Sequence, residues 1–496
     1  MNPLKKLAGQ TAIYGLPTIL GRLLNYLLVP LYTRVFVPTE YGIVTELYAY
    51  VAFLFVILTY GMETAFFRFA SQAEFRKKVF GTSLLSLMIT SIIFLIIVYG
   101  TAPFLSIKLG YTGHPEYVKW FALILAMDAI STIPYANLRL ENKPIRFAFV
   151  KVSNIVINIG FNLFFILLCP YIIGQFPEST VSGLLSHIYN PETGVGYIFI
   201  SNLIASLVTF VMLFPEVRIK GLSIDRNLLK QMLRYSWPLL IFGLAGIVNE
   251  TFDRVILKHL LPDKAGAMAQ LGIYGACYKV SILMTLFVQT YRYAAEPFFF
   301  DQAGKSDARK TYATMMHYFI LVCLFIFLGI MLYIDLVMVF VGKDFREGVG
   351  IVPILLLANL FLGVFYNLSV WFKLTDRTKT GAAISLAGAA ITLILNFILI
   401  PVMGYMGAAW ATLICYASMM VISYLAGQKH YPVSYNLKSA LKYSLLTAAI
   451  YTISVVPLTE MPWQKYVINS AMLVLFSAYV FHTERQRLRL IANKGY

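Results

Sequence analysis

The stretch "TILGRLLNYLLVPLY", Thr18 to Tyr32, reads as the interior of a membrane helix with an arginine in its middle. Lys6 lies 16 residues before Arg22 and Arg34 lies 12 after it. At about 1.5 Å of rise per residue, those gaps are roughly 24 Å and 18 Å along the helix. Neither interface is within easy reach of the side chain. An arginine at that depth costs at least about 2.5–3.5 kcal/mol to insert. It needs a partner, a watery cavity or a ligand.

The rest of the chain has the same character. It holds 496 residues, 59% hydrophobic and only 13% charged, whereas a soluble chain carries about 25% charged residues. Apolar runs of about 20 residues, the length that spans a bilayer core, recur to the end. The expected fold class is an all-α polytopic membrane protein. Fourteen transmembrane spans are expected at 8–33, 41–67, 79–100, 117–138, 147–173, 195–215, 235–257, 269–297, 313–335, 349–372, 381–402, 406–427, 439–457 and 463–482. The first run is expected to be a span and not a secretion signal, because it is long, carries Arg22 and is followed by further spans. The longest connection, Gly174–Gly196, reads as a loop with one apolar patch. Cys169, Cys277, Cys323 and Cys415 all sit in apolar segments without a CxxC pair. They read as buried small hydrophobes, with neither a disulfide nor a metal site expected.

Most of the 40 lysines and arginines fall at the N-terminus, in the even-numbered loops (such as "RFASQAEFRKK" and "RLENKPIR") and at the C-terminus "ERQRLRLIANK". The positive-inside rule then places both termini in the cytoplasm. The same distribution accounts for the net charge of +17: the cations are topological anchors, with no stripe or motif that would engage nucleic acid.

The two halves echo each other. Arg139 in "LRLENK" and Asn162 correspond to Lys373 in "FKLTDR" and Asn396, both with a shift of 234 residues. "EYGIVTELYAYVAFL" lines up with "QLGIYGACYKVSILM", Gly42 falling on Gly272 and Tyr48 on Tyr278, and Pro17 matches Pro238. An even number of spans per copy makes the repeats parallel. That implies two six-helix lobes about a pseudo-two-fold axis along the membrane normal, with a cavity between them. The expected organisation is an N-terminal lobe at 1–220, a C-terminal lobe at 221–430, and two extra transmembrane helices with a basic tail at 431–496.

Polar side chains at mid-depth are candidate sites, because hydrocarbon offers them no partner. Arg22, Asn25 and Tyr26 share one helix face. Span seven carries "NETFDR", with Asn249, Glu250, Asp253 and Arg254; span eight carries Lys279, Arg292 and Glu296; span four carries Asp128. Glu250–Arg254 and Arg292–Glu296 also have the spacing of internal salt bridges that would neutralise themselves. Asp128 is a candidate structural partner of Arg22, and Glu63 and Arg68 read as interfacial anchors. Arg22 and Lys279 have no counter-ion within a turn of their own helix, so they lead the site candidates. Cations in a cavity hold an anion, and arginine's planar fork suits phosphate.

The segments "AIYGLPTILGRLLNYLLVPLYTRVFVPTEYGIVTELYAY", "GMETAFFRFA" and "LNFILIPVMGYMGAAWATLICYA" resemble the oligosaccharide flippases of the polysaccharide transporter family. That family lies within the multidrug/oligosaccharidyl-lipid/polysaccharide exporter superfamily. The resemblance implies two lobes with two extra helices that can guide a lipid tail. It also implies translocation of undecaprenyl-diphosphate-linked oligosaccharide, as in O-antigen and other surface polysaccharide synthesis, across the bacterial inner membrane. Arg22 matches the group's arginine-bearing first helix, and Lys279 and Arg254 fall on helices that line its cavity.

The expectation is alternating access. Arg22, Asn25, Lys279, Arg254 and Arg292 bind the diphosphate, and Asp253, Glu250 or Asp128 couple to a proton or ion. Membrane lipids and glycan polymerases or glycosyltransferases are the expected partners, without a cofactor or a metal. No Walker A sequence is present, so ATP hydrolysis by this chain is not expected. The alternatives are a lipid II flippase and a cation-coupled multidrug antiporter. A glycan enzyme fits poorly, since the Gly174–Gly196 loop offers only Glu178, His187 and Glu192.

Overall fold

The computed structural model describes residues 21, 23–24, 26–72, 74–75, 78–111, 113–217, 222–456 and 461–493. Arg22 and Asn25 lie outside the described residues. The regular structure that is described is helical. It runs α1 (Val29–Val35), α2 (Pro38–Thr59), α3 (Met62–Ala70), α4 (Val79–Lys108), α5 (Pro115–Leu140), α6 (Pro144–Leu163), α7 (Cys169–Gln175), α8 (Thr180–Ile188) and α9 (Gly196–Leu213). It continues with α10 (Arg226–Leu260), α11 (Ala267–Gln302), α12 (Ala308–Met331), α13 (Ile351–Leu368), α14 (Val370–Leu374), α15 (Thr378–Met403), α16 (Tyr405–His430), α17 (Leu437–Val455) and α18 (Pro462–Asn493).

Among the described residues, eleven helical segments are long and apolar enough to cross a membrane. This is a multi-pass membrane protein. α10 and α17 occupy the expected seventh and thirteenth spans but fall short in apolarity. The polar cluster "NETFDR" dilutes α10, and Lys438 and Lys442 dilute α17. Most of the expected first span lies outside the described residues, so the count of fourteen stays an expectation.

Three local features differ from the simple spans read in the sequence. The expected span 41–67 is broken between α2 and α3, where Tyr60 and Gly61 take φ of 34° and 70°. The second value is the left-handed region that glycine enters without a Cβ penalty. Between α6 and α7 the helix widens into a π-turn at Phe164–Leu168, where the Cys169 N–H reaches back to the Phe164 carbonyl. Pro170 follows immediately, and a proline inside a helix removes a hydrogen bond and crowds the preceding turn; the wider turn absorbs both. The Gly174–Gly196 connection contains α8, whose first turn is capped by the Ser179 hydroxyl accepting the Ser182 N–H at 3.0 Å.

The described chain forms two compact units. One comprises the residues up to Lys279 together with Ala382–Cys415; the other comprises Val280–Gly381 with the residues from Tyr416 onward. In the first, Met62, Phe66, Leu84, Leu87, Ile133, Leu228 and Met232 pack a core between α3, α4, α5 and α10. In the second, Leu328, Leu332, Ile450 and Phe476 join α12, α17 and α18, and the Trp371 indole donates to the Ser423 carbonyl at 3.1 Å. Packing of this kind holds membrane helices together, because lipid supplies no hydrophobic drive between them.

The repeat-related positions make like contacts. Asn162 and Asn396 are both fully buried, and each donates its amide to the carbonyl four residues back, Asn158 and Thr392, at 2.7 Å. Arg139 pairs with Glu63, and Lys373 with Glu296. The two asparagines differ at their side-chain oxygens. Asn162 also accepts the Tyr32 hydroxyl at 2.8 Å, whereas the Asn396 Oδ1 accepts nothing among the described residues. Asn162→Ala strands a buried hydroxyl, which costs about 1–3 kcal/mol. Thermal denaturation in detergent should therefore show a larger fall in melting temperature for Asn162→Ala than for Asn396→Ala.

Candidate functional site: a cation-lined cavity

The site is built by α2, α10 and the part of α11 up to Lys279, all within the first unit. α2 starts on Pro38, which needs no N–H partner in a first turn. The Glu40 side chain reaches back to accept the Val37 N–H at 3.1 Å. α10 starts on Asp225, whose carboxylate accepts the N–H groups of Asn227 and Leu228 at 3.0 and 3.1 Å. These donors, with the Lys78 ammonium, hold the Asp225 carboxyl below its ordinary range.

α2 and α11 meet backbone to backbone. A Cβ on Gly42 would overlap the Met268 carbonyl oxygen, and a Cβ on Gly272 would overlap the Pro38 carbonyl oxygen. Both pairs of like positions, 38 with 268 and 42 with 272, are 230 residues apart. The two copies of the repeated segment thus meet reciprocally, about a local two-fold. Only glycine permits so close an approach. Gly275, three residues on, packs against the Thr45 side chain.

A cavity of about 110 Å³ lies alongside this crossing. It is lined by Tyr41, Val44, Thr45, Tyr48 and Ala49 of α2, Thr251 and Arg254 of α10, and Gly275, Tyr278 and Lys279 of α11. The Arg254 guanidinium lies 3.9 Å over the Tyr278 ring and donates to the Glu250 carbonyl at 3.0 Å. Its Nε is buried and donates to no acceptor among the described residues. Lys279 has no carboxylate within 4.0 Å among the described residues, and its charged neighbour is Arg254. Two basic side chains in one cavity, with tyrosine and threonine side chains around them, have the chemistry to hold an anion of phosphate-like geometry.

The other candidates fall elsewhere or serve other bonds. Asp253 is buried, accepts the Tyr274 hydroxyl and the Arg254 N–H at 2.8 Å, and lies 3.9 Å from the Arg254 Nε. The Glu250 side chain is exposed at the protein surface, so the Glu250–Arg254 contact is through the backbone and not between the charges. Asp128 faces the Ser206 hydroxyl and Lys151. Arg292 belongs to the second unit, 3.7 Å from Glu296 and 4.6 Å over the Tyr366 ring. There Lys373 also binds Glu296, at 2.5 Å, and these groups enclose a small pocket with Tyr291 and Asn367. Arg254 and Lys279 are thus the predicted residues that the structure gathers in one cavity, with Asp253 behind them.

Sequence reasoning passed over a second buried charge cluster. Glu46 is completely buried on α2. It accepts the Lys258 ammonium at 2.6 Å and the Tyr111 hydroxyl. The signal was present: Glu46 and Glu63 are the two charged residues within the expected span 41–67.

The profile of the family described as "Polysaccharide biosynthesis protein" matches residues 7–303. The chain belongs to that family. No curated protein matches it. Among solved structures, "Lipid II flippase MurJ, inward closed conformation" superposes with a TM-score of 0.68 at 16% identity, over 96% of this chain and 99% of that one. The "inward-facing conformation of a multidrug resistance MATE family transporter of the MOP superfamily" superposes with a TM-score of 0.65 at 14% identity, over 87% of this chain and 99% of that one. At such identities the likeness is one of fold.

Proposed function

We propose that this protein is a flippase that carries an undecaprenyl-diphosphate-linked oligosaccharide repeat unit from the cytoplasmic to the periplasmic leaflet of a bacterial inner membrane. The observation that carries the reading is the cavity holding Arg254 and Lys279, where Lys279 faces no carboxylate among the described residues. Membership of a polysaccharide biosynthesis family supports a glycan cargo, and the anion-binding wall supports a diphosphate at its head. A drug cation would find like charge there. The 1–220 and 221–430 halves act as lobes in alternating access, and both termini lie in the cytoplasm. Arg22 and Asn25, outside the described residues, and Arg292, in the second unit, are further candidates for binding the diphosphate, and the prenyl tail stays in lipid. Carrying about two negative charges outward across an inside-negative 100 mV gains roughly 4–5 kcal/mol, at about 2.3 per charge. Coupling through Asp253, Glu250 or Asp128 adds to that drive, and glycosyltransferases and a polymerase supply and consume the cargo.

The test is leaflet transfer in reconstituted vesicles. Three cargoes are offered separately: a fluorescent polyprenyl-diphosphate oligosaccharide, lipid II and a drug cation. Transfer of the first alone is expected. Transfer restricted to lipid II or to the drug cation sinks the proposal.

A further inference from the structure

The Glu46 cluster is not used by the cavity, yet it sits beside it. Thr45, the preceding residue, lines the cavity. Lys258 follows Arg254 by four residues, so the two cations share a face of α10 about one turn apart. The Lys258 ammonium is nearly buried. It donates to the Glu46 carboxylate and to the Leu109 carbonyl, both at 2.6 Å. Tyr111, just past the end of α4, donates to the same carboxylate. One buried ion pair therefore ties α2 and the turn after α4, from the first copy of the repeat, to α10, from the second. It does so beside the Gly42–Gly272 crossing. Counting along the chain, this is the end away from the cation-rich loops, the periplasmic end in the orientation proposed above.

A buried ion pair is hard to separate, because each partner alone is an uncompensated charge in a poor dielectric. The helices it joins can part only when another group takes over one of the charges. An anion held by Arg254 and Lys279 is one helical turn from Lys258 and carries the charge to do so.

We propose that Glu46–Lys258 is a latch closing the periplasmic end of the cavity, and that the cargo's diphosphate opens it by competing with Glu46 for Lys258. This rests on the anionic cargo proposed above. Lys258 is then a further substrate-binding residue, the station that the phosphates reach after Arg254 and Lys279. Glu46 holds it in reserve until cargo arrives, so an empty cavity stays sealed on that side.

The latch is tested by the external reactivity of Thr45→Cys toward a membrane-impermeant maleimide, in right-side-out vesicles. The four native cysteines are buried, which keeps the background low. In the parent, labelling is slow and rises when inorganic pyrophosphate is loaded inside. Adding Glu46→Gln raises the rate about tenfold without pyrophosphate, since Lys258 loses its counter-charge. The exchanged pair Glu46→Lys with Lys258→Glu returns it to within about twofold of the parent. Tyr111→Phe, which keeps the packing and removes one donor, gives a smaller rise and serves if Glu46→Gln does not fold. Unchanged labelling in Glu46→Gln, or in Tyr111→Phe where that variant stands in, overturns the latch. Equilibrium binding of pyrophosphate to the purified protein separates the two readings. Binding without any effect of pyrophosphate on labelling overturns the trigger alone; absence of binding overturns the anionic cargo and the trigger together.

Discussion

On the proposed function, Arg254→Gln and Lys279→Gln should each weaken binding of a polyprenyl diphosphate by about ten- to a hundredfold, and the double variant should lose transport. A hydrogen bond to a charged group contributes about 1.5–3 kcal/mol, and each 1.4 kcal/mol is a factor of ten. Both side chains face the cavity, and Lys279 has no carboxylate near it to be stranded by the change. Asp253 keeps its Tyr274 hydroxyl and the backbone N–H of residue 254, but Arg254→Gln removes the cation 3.9 Å away and is expected to lower the melting temperature as well. Lys279→Gln is expected to keep protein level and melting temperature near those of the parent while affinity falls. Titration with labelled polyprenyl diphosphate measures the first quantity, and thermal denaturation the second. Parent-like affinity in both single variants would remove the cavity from the mechanism.

The second large effect is steric. Gly272→Leu places a side chain where the Pro38 carbonyl already stands, and Gly42→Leu does the same against the Met268 carbonyl. A flexible neighbour could swing aside, but a helix backbone cannot. The two helices must separate, at about 3 kcal/mol or more, the upper end of overpacking costs. Each variant should melt well below the parent, with its cavity opened. Gly246→Leu and Gly329→Leu are the controls, since a Cβ at either position meets nothing within 4 Å. Equal losses in all four variants would show that the effect is one of composition and not of the crossing.

Much of this architecture was legible in the chain. Long apolar runs declare membrane helices because the bilayer leaves a backbone no other way to satisfy its polar groups. The internal echoes were legible too, and the structure gives Asn162 and Asn396 the same burial and the same backbone acceptor. Local breaks were less so. The left-handed turn at Tyr60–Gly61 and the π-turn before Pro170 interrupt spans whose hydropathy runs on unbroken. The candidate site was half visible: Arg254 and Lys279 stood out as charges in oil, whereas Glu46 was passed over.

The sequence by itself determined the class of molecule, the approximate span positions and the pairing of repeat positions, since these depend on transfer free energy and order along the chain. Only the tertiary structure decided which buried charges neutralise each other. Charge pairing depends on distances between helices far apart in sequence, and spacing along one helix says little about it. Glu250 and Arg254 have salt-bridge spacing yet meet through a backbone carbonyl. Glu46 and Lys258, 212 residues apart, form the buried pair, because the fold packs α2 against α10.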